Sequence, residues 1–228
     1  MTTYFDNLTA EQKSNIKFIV QRMNEKGITN PITQSAILAV VSKESAFIPR
    51  SEASYRNTEN SRIRKIFGSR VEHYNEDELT RLKSNDEAFF NAVYGLEKYG
   101  QTANEGYKYR GRGLNQITFK SAYKKAGDQI GIDLVKNPDR LNELPIATDC
   151  LINFFMNSFK SAPSDKLAAY NASDINSFKS TKDSVGAVYN ANSGWGTPKS
   201  AIDSDPTGGK AKAESRVQGF MEIIENMA

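Results

Sequence analysis

The chain has 228 residues, of which 38% are hydrophobic and 25% are charged, as in ordinary globular proteins. This length is enough for one well-buried domain, and we predict a single domain over residues 1–228. The 30 basic and 27 acidic residues leave a net charge of +3, too small to indicate nucleic-acid binding. One cysteine and one histidine exclude an internal disulfide, a multi-cysteine zinc cage and a three-histidine metal site. We therefore expect no metal and no cofactor, and any proton transfer must rely on carboxylates, tyrosines or lysines.

The N-terminal half of the chain has helical patterns separated by short turns. A capping box at Thr9 begins a helix that ends at Gly27. Asn30 and Pro31 begin a second helix, which runs to about Ser45. Shorter helices are predicted over 62–67 and 86–94.

Glycines and tyrosines are concentrated in residues 95–113, which predicts a long loop or small β-hairpin leading into an extended stretch over 114–118. Helices are then predicted over 119–130, 146–159, 185–189 and 211–227, with the second of them in the centre of the core. Residues 161–180 are predicted to be peripheral and 193–210 to be a loop.

No segment has the roughly 18 apolar residues that span a bilayer, and the N-terminus lacks the pattern of a signal peptide. We expect synthesis in a cytoplasm, no membrane insertion, and export that depends on other machinery.

Glu44 is the most informative polar residue of the second predicted helix. At about 100° per residue, Ile37, Val40, Val41 and Glu44 share one stripe of that helix. Burial and a helix C-terminus both favour the protonated form of a carboxylic acid, which is the form that a general acid needs. The alternative is a solvated side chain or one paired with a neighbouring cation.

Glu52 follows Glu44 beyond a break at Pro49, and a loop that folds back would place a second carboxylate opposite the first. Two carboxylates that flank a bond are the minimal equipment for cleaving a glycoside. The alternative is a surface glutamate.

Gln116 and Thr118 would share one face of the predicted extended stretch and hold a sugar hydroxyl or a water, unless Thr118 only caps the next helix.

One block of sequence carries a resemblance to a known family. Residues 107–118, YKYRGRGLNQIT, resemble the central motif of the family 19 glycoside hydrolases, and most closely that of the bacterial and bacteriophage branch. The match continues through residues 130–138, IGIDLVKNP. Residues 54–58 and 64–70 are similar to the stretch that follows the second glutamate in phage lysozymes.

This resemblance implies a mostly α, lysozyme-like fold with two lobes, a substrate cleft and a small β-hairpin. It implies that Glu44 is the general acid, that Glu52 is the general base, and that Thr118 holds the attacking water. The substrate-binding residues that we expect are Gln116, Tyr55, Tyr109, Arg112 and Asn190. Tyrosines also pack well in cores, which is the alternative for each of them.

The sequence departs from the family at two places. The family's acid usually lies in an HETGG-like context, whereas residues 43–47 are KESAF, and Ala122 occupies a position that is often asparagine. Residues 44–47 and 189–191 also resemble lytic transglycosylases, which need a single glutamate. Those enzymes have a much shorter interval between the positions of Glu44 and Gln116, and they lack the YRGRG block.

The predicted function is hydrolysis of β-1,4 bonds in peptidoglycan with inversion, by a phage-type muramidase. The expected partners are peptidoglycan glycan strands, with phage tail proteins added if the enzyme is carried on a virion, and a free enzyme is expected to be a monomer. It would reach the periplasmic cell wall by holin-dependent release or on the virion. A lytic transglycosylase, a chitinase and a non-catalytic wall-binding domain of a virion are the alternatives.

Overall fold

The computed structural model describes residues 4–204 and 209–227. The chain forms two compact units. The first consists of Met1–Ile48 and Leu144–Ala228, and the second, Pro49–Glu143, is inserted between these segments. Helices dominate both units, which confirms the mostly α prediction. The α-helices within the described ranges are α1 (Ala10–Glu25), α2 (Pro31–Glu44), α3 (Asn60–Phe67), α4 (Glu76–Lys83), α5 (Asp86–Tyr94), α6 (Lys120–Ile130), α7 (Leu144–Lys160), α8 (Ser164–Ala168), α9 (Thr181–Asn192), α10 (Lys199–Asp203) and α11 (Gly209–Glu225).

The predicted helix starts at the N-terminus are confirmed. The Thr9 hydroxyl accepts a hydrogen bond from the Gln12 N–H, and the Gln12 side chain accepts one from the Thr9 N–H, which completes the capping box of α1. The Asn30 side chain caps α2, and Pro31 occupies its first position.

Helix α2 is enclosed on almost every side, because Thr33–Ser42 are all buried. It packs against α9 and α11 within the first unit. The buried surface of α2 is therefore wider than the stripe of Ile37, Val40 and Val41 predicted from periodicity, and it includes the small residues Ala36 and Ala39.

Three short helices and one turn differ from the sequence predictions. Helices α4, α8 and α10 were not predicted, because their sequences have few apolar residues to set a helical period. The stretch 114–118 is not a strand. Arg112 and Ile117 exchange two backbone hydrogen bonds as an isolated antiparallel bridge, and the residues between them form a tight turn with Gln116 at φ 51°. The predicted hairpin is reduced to this bridge.

The second unit has an aromatic core. Phe67, Phe89 and Phe90 pack with the buried aliphatic residues Ile63, Val71, Leu79 and Val93. Tyr55 and Tyr94 lie at the edge of this cluster, partly buried. The core therefore fixes the rings of two tyrosines while their hydroxyl groups stay available for hydrogen bonds. Among the described residues, no helix is both long and apolar enough to cross a membrane.

Candidate active site

The loop that carries Glu52 is held against the glycine-rich turn by backbone hydrogen bonds. The Glu52 N–H donates to the Gly111 carbonyl at 2.7 Å, and the Gly113 N–H donates to the Arg50 carbonyl at 3.2 Å. The Gln116 side chain adds a third bond, because its Nε2 donates to the same Arg50 carbonyl at 3.0 Å. Within the second unit, this loop therefore lies against the turn after Tyr109, while its predicted position opposite Glu44 stays a prediction.

The Glu52 carboxylate accepts three hydrogen bonds, distributed unequally over its two oxygens. The Tyr55 and Tyr94 hydroxyls both donate to Oε1, at 2.9 and 3.0 Å. The Gly111 N–H donates to Oε2 at 3.2 Å. Since each carboxylate oxygen accepts about two hydrogen bonds, Oε1 is saturated and Oε2 keeps one lone pair for a further partner.

The two tyrosines stay protonated over the ordinary pH range. Burial raises the pKa of the Tyr55 hydroxyl, and the negative charge of Glu52 raises it further. The pKa of the Tyr94 hydroxyl is raised by the same two causes in the same order. Both groups are therefore permanent hydrogen-bond donors to the carboxylate.

Gly111 is required at this turn by the close approach of two polar side chains. A Cβ at this position would lie 2.9 Å from Gln116 Oε1 and 3.1 Å from Glu52 Oε2. Both atoms therefore border the same small space beside the turn. The Gln116 amide nitrogen is used within the protein, since it donates to Arg50 and Gly113, while Thr118 donates its hydroxyl hydrogen to the Gln116 carbonyl at 3.0 Å. Thr118 thus keeps its oxygen lone pairs for a ligand.

Tyr55, Tyr109 and Arg112 do not have the roles predicted for them. Tyr55 was expected to bind sugar, but its ring packs against Phe67 and Phe89 and its hydroxyl holds Glu52. Tyr109 is 0% exposed and donates to the Val135 carbonyl. A side chain enclosed in this way presents no surface to a substrate.

Arg112 is also buried, at 3% exposure, and it stabilises the glycine-rich turn from inside. Its guanidinium donates to the Lys108 carbonyl at 2.7 Å, to the Tyr123 hydroxyl at 2.9 Å and to Asp139 at 2.9 Å. Tyr123 in turn donates to the Arg110 carbonyl at 2.7 Å. Burial raises the pKa of Tyr123 to about 12, although Arg112 opposes the shift. The second arginine of the YRGRG block therefore shapes the turn instead of contacting substrate.

Glu44 is the last residue of α2 and belongs to the first unit. It is half-buried, and within the described part of its own unit its carboxylate forms no hydrogen bond or ion pair. The turn that follows is strained, because Ala46 and Phe47 have φ angles of 50° and 65°. Side chains from α1 hold both carbonyls: Gln12 donates to Ala46 at 3.0 Å and Asn15 donates to Phe47 at 2.9 Å.

Asn190 lies in the first unit and is 0% exposed. Its amide nitrogen donates to the Thr197 carbonyl at 3.0 Å and to the Tyr170 hydroxyl at 3.3 Å, which ties α9 to the following loop. Direct substrate contact, the role predicted for Asn190, is not available to a side chain enclosed in this way. The buried Trp195 likewise donates its indole N–H to Ser158 and is a packing residue.

Comparison with known proteins assigns the family. The model of the class I chitinases, glycoside hydrolase family 19, matches residues 84–218, which is more than half of the chain. The chain belongs to glycoside hydrolase family 19. The matched segment includes the turn that binds Glu52, while Glu44 and Glu52 themselves lie before it.

Two plant chitinases share short segments with this family 19 chain. A basic endochitinase of Vitis vinifera is 49% identical over 49 residues, which are 22% of this chain and 14% of the grape protein. Chitinase 11 of Oryza sativa subsp. japonica is 44% identical over 57 residues, or 25% of this chain and 22% of the rice protein. The chain therefore matches less than a quarter of either relative.

A solved structure was also compared with this chain. The crystal structure of chitinase C from Streptomyces griseus HUT6037 aligns with 95% of this chain and with 70% of the chitinase C chain, with 16% identity and a TM-score of 0.48.

Sequence reasoning considered Tyr94 only as a possible sugar-stacking or packing residue and did not predict that Tyr94 and the Gly111 amide donate to Glu52 in this family 19 chain. Tyr94 is far from Glu52 in sequence and belongs to a helix whose pattern indicates only packing, so no local signal linked the two. The Gly111 amide was likewise not singled out, since a backbone donor leaves no residue type to recognise. Among the described residues, no group of three or more histidine, cysteine or acidic side chains is placed to hold a metal ion.

Proposed function

We propose that this family 19 hydrolase cleaves β-1,4 glycosidic bonds of bacterial peptidoglycan, as a muramidase of the bacteriophage and bacterial type. The geometry of Glu52 is the observation that carries the catalytic part of this proposal. Three donors fix the position of its carboxylate, and one lone pair on Oε2 stays available. A carboxylate in that state is equipped to act as a general base.

In the proposed reaction Glu44 protonates the glycosidic oxygen as the bond to the anomeric carbon breaks. Glu52 takes a proton from a water through Oε2, and the water oxygen attacks the anomeric carbon from the opposite face of the sugar. Thr118 accepts a hydrogen bond from the same water through its free lone pairs. Both steps occur together, so the configuration at the anomeric carbon inverts.

The choice of peptidoglycan as substrate is supported by the sequence of the turn. Residues 107–118 resemble the bacterial and bacteriophage branch of the family more closely than the plant enzymes. Chitin is the second candidate substrate, and the family match together with the two plant relatives favours it. On the first proposal the enzyme acts on the periplasmic cell wall after release by a holin or as part of a virion.

Product analysis tests the reaction. Purified sacculi digested by the wild type should give glycan fragments with free reducing ends, and Glu44→Gln and Glu52→Gln should each lower the rate by roughly 10²–10⁴-fold. Ser54→Ala, which changes an exposed neighbour of Glu52, is the control and should keep wild-type activity. A lytic transglycosylase would instead give anhydro products, each lighter by one water, and would tolerate Glu52→Gln. Cleavage of chitin oligosaccharides without cleavage of sacculi would assign the enzyme to the second substrate.

A further inference from the structure

Arg70 lies beside the aromatic residues that border the Glu52 site, and its charge is not neutralised. Its guanidinium carbon is 5.9 Å from the ring centre of Tyr94 and 6.0 Å from that of Phe119, the residue after Thr118. The side chain is half-exposed. With the residues of ranges 4–204 and 209–227 it forms neither a hydrogen bond nor a salt bridge. Two rings therefore orient a cation whose N–H donors are all available.

Two further cations on α3 extend this positive charge. Arg62 and Lys65 are exposed, lie three positions apart on the helix, and form no ion pair with the described residues. Arg64, between them, is paired with Glu76 at 3.0 Å. Like charges at this spacing destabilise a helix slightly, so neutralising partners would be expected if stability alone mattered. We call Arg62, Lys65 and Arg70 the cationic surface.

The cationic surface adjoins the groups that hold the proposed base. The charge of Arg62 acts on the Tyr55 hydroxyl and that of Arg70 on the Tyr94 hydroxyl, and both hydroxyls donate to Glu52. A substrate seated at Glu52 would therefore bring its substituents close to these cations. Charges within about a Debye length, roughly 8 Å at physiological salt, interact without full screening.

The two candidate substrates differ in charge. A chitin chain is neutral, whereas the lactyl-linked peptide stems of peptidoglycan carry carboxylates. A planar guanidinium oriented by aromatic rings binds a carboxylate with two parallel hydrogen bonds. We propose that the cationic surface, with Arg70 at its centre, binds the stem-peptide carboxylates of peptidoglycan beside the bond that is cleaved. This inference rests on the proposed function, and it makes Arg70 a determinant of selectivity for acidic over neutral glycans.

The test uses Arg70→Gln in the full-length protein, with Arg81→Gln as the matched control. Arg81 is exposed on α4, so the control loses the same charge without contacting the rings of Tyr94 or Phe119. The substrates are soluble peptidoglycan fragments, the same fragments with amidated carboxylates, and chitin oligosaccharides. Arg70→Gln should lower kcat/KM on native fragments by about tenfold, the loss of one charge-assisted interaction. It should have no effect on the amidated fragments or the chitin oligosaccharides, because neither carries carboxylates, and Arg70→Lys should recover part of the loss.

Each outcome supports or overturns the inference. A difference between wild type and Arg70→Gln that disappears with amidated fragments or at high salt supports it. An equal loss of kcat/KM on native fragments and on substrates without carboxylates would show that Arg70 acts through the fold or through Glu52. No loss of kcat/KM on native fragments would show that Arg70 does not bind the stem peptide. If the wild type cleaves chitin oligosaccharides but not peptidoglycan, the proposed function fails together with the inference. Peptidoglycan cleavage that is indifferent to Arg70 overturns the inference alone.

Discussion

Replacing Tyr94 by phenylalanine isolates one of the hydrogen bonds that hold the Glu52 carboxylate. The ring of residue 94 would keep its stacked contact with Phe90 at 5.9 Å and its edge contact with Phe119 at 5.5 Å, so the aromatic core should be preserved. Only the donor to Oε1 at 3.0 Å would be lost. The predicted change therefore concerns the position of the carboxylate and not the fold.

The magnitude follows from the strength of a hydrogen bond to a charged group. Such a bond contributes about 1.5–3 kcal/mol, and the lower end applies here because Tyr55 and water partly replace the missing donor. A loss of about 1.4 kcal/mol in the transition state corresponds to about tenfold in rate, so kcat/KM should fall by about tenfold. The physical reason is that the Glu52 carboxylate would be held less firmly in the position from which it meets the water.

The assay is steady-state kinetics on soluble peptidoglycan fragments for Tyr94→Phe, Tyr55→Phe and the double variant. The double variant should lose about 10²-fold in kcat/KM if the two donors act independently. Tyr74→Phe is the control, because Tyr74 packs against the same core and its hydroxyl does not contact Glu52. Wild-type kcat/KM in the double variant would refute the role of the two hydroxyls in positioning Glu52.

Three further substitutions test other parts of the site. Gly111→Ala should lower kcat by about 10²-fold with little loss of stability, since its Cβ would displace Glu52 Oε2 and Gln116 Oε1; full activity would show that this arrangement is not needed. Arg112→Met should lower the free energy of unfolding, measured in urea, by about 2–4 kcal/mol because buried polar partners lose their donor. Asp139→Asn should lower it by less than about 1 kcal/mol because Asp139 is 81% exposed. Equal losses would contradict the conclusion that Arg112 stabilises the turn through its buried partners. Thr118→Val should reduce kcat by about 10²-fold at nearly constant KM, measured by steady-state kinetics, and an effect confined to KM would place Thr118 in binding instead of water positioning.

The sequence alone determined the helical elements whose signals are local. The capping box at Thr9, Asn30 followed by proline, and the apolar period of α7 all predict their helices correctly, because caps and periodicity act within a few residues. The motif in residues 107–118 was likewise sufficient for the family, which the match over 84–218 confirms. Helix α4 also has a local signal, the capping box formed by Asn75 and Glu78, but its apolar residues are too few for periodicity to indicate the helix.

Tertiary structure decided what the residues of the motif do. Arg112 and Tyr109 have the residue types of a binding site, yet both are buried and hold the turn in shape. Two of the three donors that fix Glu52, the Tyr94 hydroxyl and the Gly111 N–H, are distant in sequence, and only the folded second unit brings them to one carboxylate. Sequence patterns report which residues could ionise or donate. Which of them meet depends on contacts between distant segments, and these form only when the core that buries their rings is assembled.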